Sequence, residues 1–160
     1  MISFLNDKFK KLGKSQFIKN AALLCLIADA LNLFYIQFYW LKVRFSEDFL
    51  RSVLAINGVN AATLRSEDVL SYKYLLVGSL SNVLVGFIVV HAFIYFLFYK
   101  RKKWTAKYIG GYTLSAVLLT ILELIVFRND LSSWSLFLIS SALIYGYVFL
   151  GIKYFKIQER

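Results

Sequence analysis

Three side chains that can ionise lie inside long apolar runs of this 160-residue chain: Asp29, His91 and Glu123. The same runs hold the amides Asn32, Gln37 and Asn82. Asp29 sits in the middle of LLCLIADALNLFYIQFYW, residues 23–40. A carboxylate at the centre of a lipid-embedded helix costs about 2.5–3.5 kcal/mol on insertion scales. It must therefore face protein or water and must have a partner. Two kinds of chemistry suit an acid held that way. It can be hydrogen-bonded glue between helices, or it can titrate in a proton or cation path, with His91 and Glu123 as relay or access groups.

Other chemistries lack their residues. Cys25 is the only cysteine, so neither an intramolecular disulfide nor a cysteine-based metal site can form within one chain. No metal-ligand spacing, glycine-rich phosphate loop or nucleophile–base pair is present, and the motifs of a lipoprotein signal peptidase are missing. The chain is read as not an enzyme, with no cofactor, no metal and no nucleic-acid partner.

The elements that carry these residues follow from composition. Hydrophobic residues make up 59% of the chain, gathered into long runs, against the roughly 45–50% of a soluble domain. Four runs, about 17–41, 74–99, 104–127 and 134–155, each exceed the roughly 20 residues a helix needs to cross hydrocarbon. Lipid offers no partner to free backbone groups, so the spans must be helical. The expected fold is an all-α integral membrane four-helix bundle, one membrane domain over 1–160, with a short amphipathic helix in the outer loop 42–73.

The net charge of +10 is informative through its placement. Thirteen of the nineteen Lys and Arg fall on one side, in residues 1–19, at 100–107 and in the tail. The other six share their side with Glu47, Asp48, Glu67, Asp68 and Asp130. The positive-inside rule puts both termini in the cytoplasm of a plasma (inner) membrane, and makes the basic residues topological signals first. Tyr35, Tyr39, Trp40, Tyr72 and Tyr74 are expected in one interfacial belt with Trp134; Tyr95, Tyr99, Trp104, Tyr108 and Tyr154 in the other. Ile2, Leu5, Phe9 and Leu12 recur at helical spacing among lysines and read as a short helix on the cytoplasmic surface.

SEDFL at 46–50 recurs as SEDVL at 66–70. Serine followed by two acids starts a helix, because the hydroxyl caps and the acids favour the positive end of the dipole. The first start predicts a helix over about 47–57 stopped by Gly58, and the second a helix over about 67–100 that runs on into a span. The repeat is read as two independent uses of one capping device.

Depth limits which polar groups can meet. At 1.5 Å per residue from the cytoplasmic ends, His91 lies about 12 Å in, Asp29 about 18 Å, Asn82 about 25 Å, Glu123 about 27 Å and Gln37 about 30 Å. The gap of roughly 9 Å between Asp29 and Glu123 argues against a carboxylate dyad. Asp29 can reach His91 directly or through water. Glu123 can meet Asn82, Gln37 or Asn32. Ala22, Cys25, Asp29 and Asn32 share one face, expected to be buried against protein. Gly78, Asn82 and Gly86 make a second close-packing face, half a turn from His91, and Ala142 with Gly146 a third.

The layout of four spans, two cytoplasmic ends, a long first outer loop and a short basic inner loop is similar to that of immunity proteins to pore-forming colicins. The resemblance is one of layout and carries no motif residues. It implies a protein that acts on another membrane protein. The small-residue faces, the modest outer loop and the lack of a convergent reactive set give the expected function: an accessory, assembly or immunity-type factor that binds a membrane protein, or forms a homo-oligomer, within the lipid bilayer. The alternative is an oligomeric proton- or cation-coupled small transporter or channel subunit using Asp29.

Overall fold

Long uninterrupted apolar runs without a single proline can only resolve into helices, and they do. The computed structural model describes residues 2–60, 63–128 and 132–157, with residues 2–5 as backbone only. Asp130, Arg160 of the basic tail and the side chains of Ile2 and Leu5 lie outside the described side chains. The helices are α1 (Ile2–Leu12), α2 (Lys14–Tyr35), α3 (Leu41–Arg44), α4 (Glu47–Ile56), α5 (Ser66–Tyr99), α6 (Lys103–Val126) and α7 (Ser135–Tyr154). A π-helical turn, Ile36–Trp40, joins α2 to α3 without a break. There is no strand among the described residues, and the fold is an all-α four-helix bundle.

Four helices are long and apolar enough to cross a membrane: Lys14–Arg44, Ser66–Tyr99, Lys103–Val126 and Ser135–Tyr154. Each is mostly uncovered, with at most 39% of its apolar window buried. Leu75 and Leu143 are 70% and 71% exposed. Apolar surface on this scale belongs against lipid, not water, which makes this a helical membrane protein.

The chain divides into two compact units, residues 1–32 with 88–160, and residues 33–87. In the first unit, Phe9, Phe17, Ile18, Cys25, Phe98, Ile109, Val148 and Ile152 belong to one buried cluster. Gly13, at φ +73°, turns α1 back onto it. Phe9 is buried, its ring edge-on to Phe17 at 5.6 Å and 5.1 Å from Tyr147. The helix expected to lie on the surface thus anchors itself in the core by one aromatic. Gly151 makes a tight approach: a Cβ there would stand 2.1 Å from the Phe17 ring. Gly146 is looser, its nearest neighbour Val117 at 4.0 Å from a Cβ.

The second unit shows why the outer segment folds. Ser46 caps α4, its hydroxyl accepting from the Phe49 amide at 3.3 Å. Asn57 and Gly58, at φ +80°, end that helix close to the expected place. Leu50 and Val69 are buried. The repeat is not two independent caps. Ser66 donates its hydroxyl to Glu47 of the first copy at 3.1 Å, while Arg51 grips Glu47 at 2.7 Å and the Leu64 carbonyl at 3.1 Å. The two copies clip the loop to itself. The Arg51 and Ser66 hydrogen bonds hold the Glu47 carboxyl below the usual carboxylate range.

Candidate functional site

Helical spacing puts polar residues on one face of each of four helices in the first unit. Asp29 and Asn32 are three apart on α2; His91 and Tyr95 on α5, Tyr108 and Tyr112 on α6, and Ser141 and Tyr145 on α7 are each four apart. These faces converge on Asp29, which is 3% exposed.

Its two oxygens are shared out evenly. Oδ2 accepts from the Tyr95 hydroxyl at 2.8 Å and lies 3.1 Å from His91 Nδ1. Oδ1 accepts from the Tyr112 hydroxyl at 2.9 Å and from the Tyr145 hydroxyl. Three hydroxyl donors, joined by His91 in the tautomer that carries its proton on Nδ1, match the roughly four lone-pair positions of an ionised carboxylate. Three other helices thereby solvate one acid, which is how a membrane protein tolerates it.

A second ring of contacts orients the first. His91 Nε2 lies 2.8 Å from the Tyr108 hydroxyl. With the ring neutral and its proton on Nδ1 facing Asp29, Nε2 accepts from Tyr108. The imidazole stands edge-on to Tyr112, 4.3 Å between centroids at 85°. The Tyr145 hydroxyl also accepts from Asn32 Nδ2 at 3.3 Å, and the Asn32 carbonyl accepts from the Ser141 hydroxyl at 2.5 Å. The result is a continuous polar chain from Tyr108, 38% exposed near the start of α6, to Ser141, fully buried.

Asp29 and His91 are in direct contact, and Asn32 lies one shell out through Tyr145. The small face of α2 is buried at Ala21, Cys25, Ala28 and Asp29, with Ala22 and Asn32 half-buried. Glu123 is half-buried on α6, about three turns beyond Tyr112 and apart from this cluster. Of the amides, Asn32 bonds Tyr145 and Ser141, Gln37 donates to Ser81 at 2.7 Å, and Asn82 is exposed. The face of Gly78, Asn82 and Gly86 is exposed, in place of the packed face expected, and nothing lies within 4 Å of a Cβ at either glycine.

The tyrosines are what sequence reasoning missed. Tyr95 and Tyr108 were expected in an interfacial belt. Tyr95 is 3% exposed and bonds Asp29, and Tyr108 turns its hydroxyl inward to His91. Tyr35, also expected at an interface, is buried. The legible signal was the i, i+4 pairing of His91 with Tyr95 and of Tyr108 with Tyr112.

Among the described residues no group of three or more His, Cys, Asp or Glu could hold a metal ion. No protein-family model matches the chain, and no curated protein or solved structure matches it.

Proposed function

We propose that this is a non-catalytic multi-pass membrane protein that works by binding another membrane protein, as an accessory, assembly or immunity-type factor. Both termini lie in the cytoplasm of a plasma (inner) membrane, on the weight of thirteen Lys and Arg against six. The observation that carries the reading is the saturation of Asp29. Three tyrosine hydroxyls donate to it, and with the His91 proton on Nδ1 all four acceptor positions are taken by the chain's own donors, leaving none for a transported ion. The acid is spent on holding four helices in one arrangement. A rigid bundle is what a docking surface needs, and Asn82 supplies a place for docking. It is exposed on α5 between exposed Gly78 and Gly86, and its side chain makes no hydrogen bond among the described residues. An amide facing lipid gains by meeting a polar group of another helix, and the glycines let that helix come close.

One observation favours a second reading. Tyr108, His91 and Asp29 form an unbroken hydrogen-bonded line from a partly exposed hydroxyl to a buried carboxylate, which is the arrangement a proton relay requires.

Proton uptake into proteoliposomes separates the two, comparing wild type with Asp29→Asn after both are shown to be helical and monodisperse. Partner binding expects no flux in either. Flux in wild type that a well-folded Asp29→Asn loses overturns it in favour of the relay. A photo-crosslinking residue at position 82 should then give adducts with a membrane polypeptide, while one at position 143, equally lipid-facing on α7, should not. Equal yields at both positions would remove the case for a docking face.

A further inference from the structure

At the basic end of the first unit, a cavity of about 360 Å³ opens between the start of α2, the α5–α6 turn and the C-terminal segment. Lys14, Arg101, Lys102 and Lys103 line it, and no carboxylate does so among the described residues. Its inner wall is apolar, with Ile18, Phe98 and Ala106 all buried.

The cations are placed, not merely gathered. Arg101 occupies the left-handed region at φ 60°, which an L side chain adopts only when the surroundings hold it there. Its guanidinium donates to Ser15 at 2.6 Å, pinning the charge across onto α2. Lys14 donates to the Phe155 carbonyl at 3.3 Å. Lys102 and Lys103 make no side-chain hydrogen bond or ion pair among the described residues. Lys102 also stands at the N-cap of the 24-residue α6 without supplying a side-chain cap, which adds the positive end of that helix to the same wall.

Positive-inside topology needs basic residues on one side of the bilayer, but it needs neither a cavity nor a left-handed arginine. Four cations above an apolar wall match a molecule that is anionic at one end and hydrocarbon at the other. A free phosphate would use the cations and leave the wall unused. We infer that this cavity seats the phosphate headgroup of an anionic phospholipid, with its glycerol and first acyl carbons against Ile18, Phe98 and Ala106. Arg101 offers its planar fork to the phosphate, while Lys102 and Lys103 act as point charges. The inference stands apart from what Asp29 or the Asn82 face does, and needs only that the chain lies in a bilayer.

Trp104 provides the readout, being half-exposed next to Lys103, while Trp40 and Trp134 lie at the opposite ends of their helices. The full chain carrying Trp40→Phe and Trp134→Phe is reconstituted in phosphatidylcholine vesicles containing brominated phosphatidic acid or brominated phosphatidylcholine. Quenching of Trp104 should show a preference of about tenfold or more for the acidic lipid, the order expected of two or more well-placed cations. Arg101→Lys, which keeps the charge and loses the fork, and the pair Lys102→Gln with Lys103→Gln should each bring the preference down severalfold. Millimolar inorganic phosphate should not displace the lipid. Absence of a preference in the parent protein overturns the inference. So does a preference that survives both variants unchanged, which would mark diffuse attraction. Displacement by inorganic phosphate overturns the lipid as occupant and assigns the cavity to a soluble phosphate.

Discussion

Asp29→Asn is the sharpest probe of the buried cluster, because it keeps shape and volume and changes one acceptor into a donor. The remaining carbonyl oxygen can serve one pair of donors, either Tyr112 with Tyr145 or Tyr95 with His91. The other pair loses two hydrogen bonds to a charged group, each worth about 1.5–3 kcal/mol. His91 can soften the loss on its own side. Moving its proton to Nε2 makes Nδ1 an acceptor for the new amide, and Tyr108 can accept in turn. The amide should therefore settle with its nitrogen toward His91, recovering one neutral bond of about 1 kcal/mol. The net expectation is a loss of roughly 2–4 kcal/mol, held to the lower half because a chain unfolded within the membrane also finds partners. Reversible unfolding in bicelles, followed by steric trapping or denaturant, measures it. The cycle of wild type, Asp29→Asn, Tyr145→Phe and the double variant should show coupling of at least about 0.5 kcal/mol between the two sites. If Asp29→Asn lies within about 0.5 kcal/mol of wild type, with no coupling, the donors do not depend on the carboxylate and the account of the site is wrong.

Three further outcomes follow from other parts of the structure. Tyr108→Phe should destabilise by no more than about 1 kcal/mol in the same assay, since His91 Nε2 lies next to a partly exposed position where water can replace the hydroxyl; a loss as large as that of Asp29→Asn would contradict this. Gly151→Ala should cost about 1–3 kcal/mol through overpacking against Phe17, whose ring is hemmed in by Phe9, Tyr147 and Phe155, whereas Gly146→Ala should be nearly silent. In the outer loop, the depressed pKa of Glu47 means that its tie to Arg51 and Ser66 is fully present above the ordinary carboxylate range and is lost as pH falls through the folded value. Protection from hydrogen exchange at residues 63–66, taken relative to the intrinsic exchange rate at each pH, should therefore fall on the acid side in wild type, and in Glu47→Gln it should be low at neutral pH and flat across that window.

What the sequence determined by itself was everything that depends on one helix at a time. Unbroken apolar runs set four spans, because a lipid-embedded backbone has no other way to satisfy its hydrogen bonds. Ser46 and Gly58 set the ends of α4 through cap chemistry and a positive φ. The small residues around Asp29 marked its face as the inward one, since a buried acid needs neighbours close enough to reach it. The tertiary structure decided what depends on several helices at once. Tyr95 and Tyr108 sit at depths where a tyrosine can serve the interface as well as the interior, and only the rotation of α5 and α6 against α2 and α7 makes them donors to one carboxylate and its histidine. The two serine–acid motifs could not be seen to touch while each was read as the start of its own helix. The face of Gly78 and Gly86 read as a packed seam because small residues permit close approach, but permission does not supply a neighbour, and among the described residues nothing lies within 4 Å of a Cβ at either glycine. Period and hydropathy fix which way a side chain leaves its own axis; which group waits there is set by the azimuth of every other helix, and that is a property of the packed bundle alone.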